Sequence, residues 1–252
     1  MFPDIPSEQI TEVVGACAEQ LLWEAGVSEP PIDACHVANA SGMVVVNEDG
    51  LSHRGRFVRV SEAGRCTTRD VILVGHDERP ERKQWAIAHE VGESAAQRVF
   101  AELGAHSEEA AARAREWVAS ALATCLLLPR RWFSPDAQLH DWDLMALKRK
   151  YATASHELIA RRMLQMQPPI IVTMCDQGTL TWRRSNVMGT PPVMSARETS
   201  VWQQAHRLNF PITVPLDPGT TGFESTRCWP VHEPGWQREI MRTQITEWGC
   251  SI

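Results

Sequence analysis

The chain has no apolar run approaching the roughly 20 residues needed to cross a bilayer, and no membrane partner is expected. Its first residues, MFPDIPSEQITEVV, lack a basic segment followed by an apolar one, so they do not read as a secretory leader and the expected location is cytoplasmic. Positive charge is also scarce. The formal net charge of −6 opposes the basic balance that phosphate contacts require. A dedicated nucleic-acid binder is disfavoured, although a local basic patch is still allowed. The seven cysteines, at positions 17, 35, 66, 125, 175, 228 and 250, are odd in number and contain no C-x-x-C pair. That spacing argues against a disulfide framework or a thiolate zinc knuckle, and for reduced thiols. Repeats and low-complexity stretches are missing too. At 43% hydrophobic and 22% charged residues, the 252-residue chain can bury a sizeable core, as one large domain or a core with small appendages.

Periodicity predicts a helix over 7–25, with Ile10, Val13, Val14, Cys17, Leu21 and Leu22 as its buried stripe. Ser7 is the candidate cap and Gly26 the stop. A shorter helix follows over 31–40. Met43–Asn47 and Arg56–Val60 read as paired strands joined through EDGLSHRG, and DVILVG (70–75) as a third strand. Helices are expected over 80–100 and 107–128, the second ending at Pro129, with Cys125 in the core. Two short helices cover 143–151 and 155–166. Strands IIVTMC and TLTWRRS then flank an Asp176-Gln177-Gly178 turn, and residues 186–252, rich in Pro, Gly and Trp, carry no assignable pattern. His76, His106 and His140 read as loop histidines.

Chemistry concentrates on His89-Glu90-Val91-Gly92-Glu93. His89 and Glu93 are four residues apart, so on a helix they share a face one turn apart and can bridge a divalent cation. Glu90, about 100° further round, can hold a water at that cation as a general base without being a ligand. Trp85, His89, Gly92, Glu93 and Ala96 form one stripe. Gly92 costs about 1 kcal/mol against alanine in mid-helix, which close approach of a metal, a substrate or a second helix would offset. Glu116 is the candidate third ligand. It lies on a stripe with Ser120, Ala123 and Leu127, beside Ala119, whose small size would let the second helix come close.

The strand DVILVG, the run ERKQWAIAHEVGE, the later REWVASALATCLLLPRRWF and the segment DLMALKRKYATASHELIARRML together resemble the ImmA/IrrE family of metallopeptidases, over roughly residues 7–185. The resemblance implies an α+β fold: a zincin-like core over 1–135 with a small sheet packed on helices, a helical pair over 140–167, and a small β-containing region over 168–252. It also implies an endopeptidase, usually with zinc, acting on a protein substrate that is commonly a helix-turn-helix repressor, in stress regulation or mobile-element control. Substrate would lie extended along an edge strand, for which DVILVG is the candidate. Carried over, Glu90 is the catalytic base, and His89, Glu93 and Glu116 are the metal ligands. The pattern departs from the family at Glu93, which replaces a second histidine, at Ser120, where Asn or Asp is usual, and at Val118, where a second glutamate is common. One imidazole and two carboxylates cancel a divalent charge, so the cation would acidify water less, and this set suits Mn²⁺ or Fe²⁺, the alternatives to Zn²⁺, better than an imidazole-rich one would.

Plainer readings compete. His89 and Glu93 would otherwise be a helix-surface pair neighboured by Arg82 or Arg98. His156-Glu157 and His232-Glu233 read as ordinary surface or capping residues, and Trp85 and Trp117 as packing residues. The 143–166 pair, with Lys148, Arg149, Lys150, Arg161 and Arg162, is read as a solvated helical hairpin in preference to a DNA-binding helix-turn-helix. The alternative to an enzyme is a weak or inactive zincin-derived regulatory scaffold that binds a protein partner or DNA.

Overall fold

A computed structural model describes residues 5–48, 55–61, 68–77, 79–105, 112–166 and 168–246. The expected 48–55 connection, the start of the 107–128 helix, His106, Cys66 and Cys250 lie wholly or partly outside those residues. The described chain divides into two compact units. Unit 1 comprises residues 1–141 and 147–155, and unit 2 comprises 142–146 and 156–252. No described helix is long and apolar enough to cross a membrane.

Unit 1 begins with α1 (Ser7–Glu24), which buries Ile10, Val14, Cys17, Ala18, Leu21 and Leu22. Pro6, not Ser7, is its N-cap, and no side chain caps it. α2 (Ala34–Ala40) is capped by the Asp33 carboxylate, which accepts from the Cys35 N–H. Three strands follow: β1 (Met43–Glu48), β2 (Gly55–Ser61) and β3 (Thr68–Gly75). Their order in the sheet is β1-β3-β2, with β1 parallel and β2 antiparallel to β3. This corrects two expectations. The first two strands do not pair with each other, and DVILVG is the central strand, so β2 is the edge strand against the motif helix. The physical reason lies in burial: Ile72 and Val74 of β3 are fully buried, which suits the strand paired on both sides.

α3 (Pro80–Glu102) carries the motif, with Pro80 in its first turn, where a missing N–H costs nothing. α4 (Ala112–Leu127) packs on it through Val118, Ala119, Leu122 and Ala123, all buried. α5 (Arg130–Leu139) starts directly after Pro129, in a stretch where the sequence pattern indicates no helix. Its polar composition and internal Pro135 hide the helical period. Its buried Asp136 accepts from the Tyr151 hydroxyl at 2.7 Å and from Lys150 at 2.5 Å.

α6 (Leu144–Lys150) is divided between the units, whereas α7 (His156–Met163) belongs to unit 2. There, β4 (Ile170–Asp176) and β5 (Thr179–Ser185) form a hairpin. Gln177 and Gly178 at its turn both have positive φ, as a two-residue hairpin demands. The stretch without an assignable pattern contains α8 (Ala196–Leu208), β6 (Ile212–Pro215), the short α9 (Pro218–Thr221), β7 (Phe223–Pro230) and β8 (Arg238–Ile245). The sheet runs β5-β4-β8-β7-β6, antiparallel throughout. α8 covers one face with Val201 and Ala205 against Cys228 and Met241. Its N-terminus is a capping box, Ser195 and Glu198. Glu198 is fully buried, bound also by Arg183 at 3.0 Å and the Thr243 hydroxyl at 2.7 Å.

Candidate functional site

Gly92 decides how the motif helix sits. A β-carbon there would lie 2.6 Å from the Ala119 carbonyl oxygen and 3.1 Å from the Leu122 β-carbon. Its compensation is therefore the second helix: α3 and α4 cross where glycine meets Ala119. That crossing brings His89 Nε2 to 3.5 Å from a Glu116 carboxylate oxygen. The other ring nitrogen, Nδ1, lies 3.5 Å from the Ser120 hydroxyl, so the residue in the family's Asn/Asp position still faces the imidazole. The arginines expected to pair with the motif pair elsewhere, Arg98 with Glu24 and Arg82 with Asp77.

Glu90 sits between the His89–Glu116 pair and β2, where it lines a cleft. It is buried, Gly55 of β2 lies against its side chain, and it accepts a hydrogen bond from the Phe57 backbone. Burial raises its pKa above the ordinary carboxylate range, and the charges of Glu93 and Glu116 add to this, against the lowering effects of His89 and the Phe57 N–H. A cleft of about 530 Å³ opens here between β2 and α3. Gly55, Arg56, Phe57 and Arg59 line one side, and Glu90, Glu93, Ser94 and Gln97 line the other. The edge strand thus borders the carboxylates.

The four predicted site residues are neighbours but do not all converge. His89 and Glu116 stand at a spacing close to the roughly 3.3 Å separating two ligands on a tetrahedral ion with bonds near 2.0–2.1 Å. Glu93 is exposed, and His89, Glu93 and Glu116 do not present three ligand atoms mutually within 4.8 Å. The set therefore fits a divalent cation in part. Two donors are placed, and the third needs Glu93 to change rotamer, which an exposed side chain does readily.

Residues 38–164 match the peptidase M78 family, described as the IrrE N-terminal-like domain. The chain belongs to this family. The match covers both motif helices and α6 and α7, but a shorter span than the 7–185 of the sequence resemblance. A solved structure described as a Mycobacterium tuberculosis transcriptional regulator superposes with a TM-score of 0.62 at 18% identity, covering 97% of this chain and 84% of that one. At that identity the likeness concerns the fold. No curated protein matches the chain.

The family match ends before unit 2's sheet, of which the sequence pattern indicates β4 and β5 but nothing after residue 185. His232, read as a surface residue, is largely buried there and hydrogen-bonded to Glu239 at 2.6 Å. Glu239 and His206 carried no local signal, because residues 33 apart or separated by a β-turn share no helical spacing.

Proposed function

We propose that unit 1 hydrolyses a peptide bond in a protein substrate with the help of a divalent cation, Zn²⁺ or alternatively Mn²⁺ or Fe²⁺. The observation that carries this reading is the buried Glu90 carboxyl facing a cleft beside the His89–Glu116 pair. His89, Glu116 and, after rotation, Glu93 would hold the cation, which when bound supplies Lewis-acid polarisation of the scissile carbonyl. Glu90 takes the proton of the attacking water and delivers it to the leaving amine. Burial favours this role, because a desolvated carboxylate is a stronger base than an exposed one. Ser120 orients the imidazole through Nδ1. The substrate would lie extended along β2, where an edge strand bordering the cleft can pair with a peptide backbone. Arg56 on that strand favours an acidic segment, whereas the Arg59 guanidinium is already paired with Asp70 at 2.9 Å.

The test is cleavage of a peptide library, and of helix-turn-helix repressors, by the parent chain and by Glu90→Gln with Zn²⁺ or Mn²⁺ added. Cleavage by the parent and none by Glu90→Gln is the expected result. Parent-level cleavage by the variant overturns the assignment of the base.

A second reading, a regulatory scaffold without peptidase activity, is favoured by the exposed Glu93 and by Glu116, whose side chain is 69% exposed. Its DNA-binding form is weakened by where the basic residues of 143–166 go. Lys148 pairs with Glu81 and Lys150 with Asp136. Arg161 pairs with Glu157 and stacks on Trp182, and Arg162 is buried. A protein partner suits this scaffold better than DNA. Absence of any cleavage and of any cation bound through His89 would favour it.

A further inference from the structure

We propose that unit 2 holds a second, separate divalent-cation site made by His206, His232 and Glu239, of the class that takes Zn²⁺ or a similar transition metal. Among the described residues these are the three whose ligand atoms lie mutually within 4.8 Å. They come from three places: the last turn of α8, the segment after β7, and the start of β8.

The geometry is convergent. Glu239 is 1% exposed, and one of its carboxylate oxygens lies 2.8 Å from His206 Nδ1 and 2.6 Å from His232 Nε2. The other oxygen accepts from the Trp202 indole N–H at 2.8 Å. Trp202 stands one turn before His206 on α8, so one helix face supplies both a donor to the cation and the group that orients the carboxylate. A ligand held by a second donor in this way is the usual support of a metal centre. Two imidazole nitrogens aimed at a single buried oxygen are already close to the ligand separations of a tetrahedral ion. To reach the roughly 3.3 Å expected, the His206 nitrogen, at 2.8 Å, needs to move by about 0.5 Å and the His232 nitrogen, at 2.6 Å, by about 0.7 Å.

The donor chemistry selects the cation. Two imidazoles and one carboxylate are the set that borderline transition metals prefer over Mg²⁺ or Ca²⁺, which seek oxygen. Thiolates do not contribute. Cys175, paired across the sheet with Glu239, and Cys228 are both buried, and neither joins the group of ligand atoms lying mutually within 4.8 Å. Access exists on the helix side, where the His206 side chain is 37% exposed. Three protein ligands with an open side leave a position for water or a small anion, unlike a closed four-ligand structural site.

The cluster's predicted behaviour is independent of unit 1. The full chain carrying His89→Ala and Glu116→Ala, stripped with chelator, is titrated with Co²⁺ alone and followed by its visible d–d absorption and by calorimetry. One Co²⁺ per chain, displaced by Zn²⁺, is expected in this background. Adding His232→Ala should weaken Co²⁺ binding at least a hundredfold. His206→Ala, at the more exposed ligand, should weaken it at least tenfold with an unchanged far-ultraviolet circular dichroism spectrum in chelator. Failure of the His89/Glu116 background to bind Co²⁺, or equal binding by a folded His206→Ala chain, overturns the site. Loss of peptide cleavage in Glu90→Gln tests unit 1 only, and neither result decides the other.

Discussion

The two units hold metal-type side chains in opposite ways. In unit 1 His89, Glu90 and Glu93 are announced by spacing on one helix, yet the candidate ligands are loosely assembled: a 3.5 Å pair, an exposed Glu93 and a Glu116 open to solvent. In unit 2 no spacing announces anything, yet two imidazoles and an indole converge on one buried carboxylate at 2.6–2.8 Å. What is tight in unit 1 is the scaffold, because Gly92 lets the backbones of α3 and α4 meet at Ala119. What is tight in unit 2 is the polar network itself. Assembly and legibility are therefore separate properties: a motif reports periodicity along one element, whereas convergence depends on several elements meeting.

The comparison breaks most decisively at Glu90. Glu90→Gln should lower peptide cleavage by about 10²–10⁴-fold, the usual contribution of a general base, with cation content measured by elemental analysis unchanged. An equal loss of bound metal would move Glu90 from base to ligand. Unit 2's dependence on buried polar contacts is next. Glu198→Ala removes the carboxylate that pairs with the buried Arg183, leaving the Thr173 hydroxyl and the Pro192 carbonyl as its acceptors, and should destabilise the protein by about 3–5 kcal/mol in denaturant unfolding. A loss below about 1 kcal/mol, the level of an exposed pair, would mean the network is not what holds α8.

In unit 1 the helix crossing should matter more to stability than the ligands do. Gly92→Ala forces a β-carbon against a backbone carbonyl. Overpacking of about 1–3 kcal/mol should outweigh the roughly 1 kcal/mol gained in helix propensity, and lower the melting temperature. A melting temperature that rises instead would show that the crossing relaxes freely. The smallest effect is expected from Tyr151→Phe, which takes one donor from buried Asp136 while Lys150 remains bound to it. About 1 kcal/mol is expected by chemical denaturation.

Legibility followed length scale. α1 and α3 were predicted within two residues at either end, because both repeat apolar residues at helical spacing over many turns. The β4–β5 hairpin was legible from β-branched runs around Asp176-Gln177-Gly178. α5 was hidden by polar residues and Pro135. α8 was missed although Ser195 and Glu198 spell a capping box, a local signal that could have been found. The central position of β3 was out of reach, since strand order depends on which edges the helices cover. Near the candidate site, the proximity of Glu116 to His89 was foreseen from small residues on α4. The burial of Glu90 against β2 was not, because it arises from a strand 35 residues away.

By itself the sequence determined the composition of an α+β chain, the two motif-bearing helices and the residues placed on one face of α3, since each follows from short-range backbone geometry. Only the tertiary structure decided that β2 borders the cleft, that Glu93 stands away from the His89–Glu116 pair, and that His206, His232 and Glu239 meet. Those outcomes depend on how separate elements pack, and packing is settled by the whole buried surface at once rather than by any neighbouring residues in the chain.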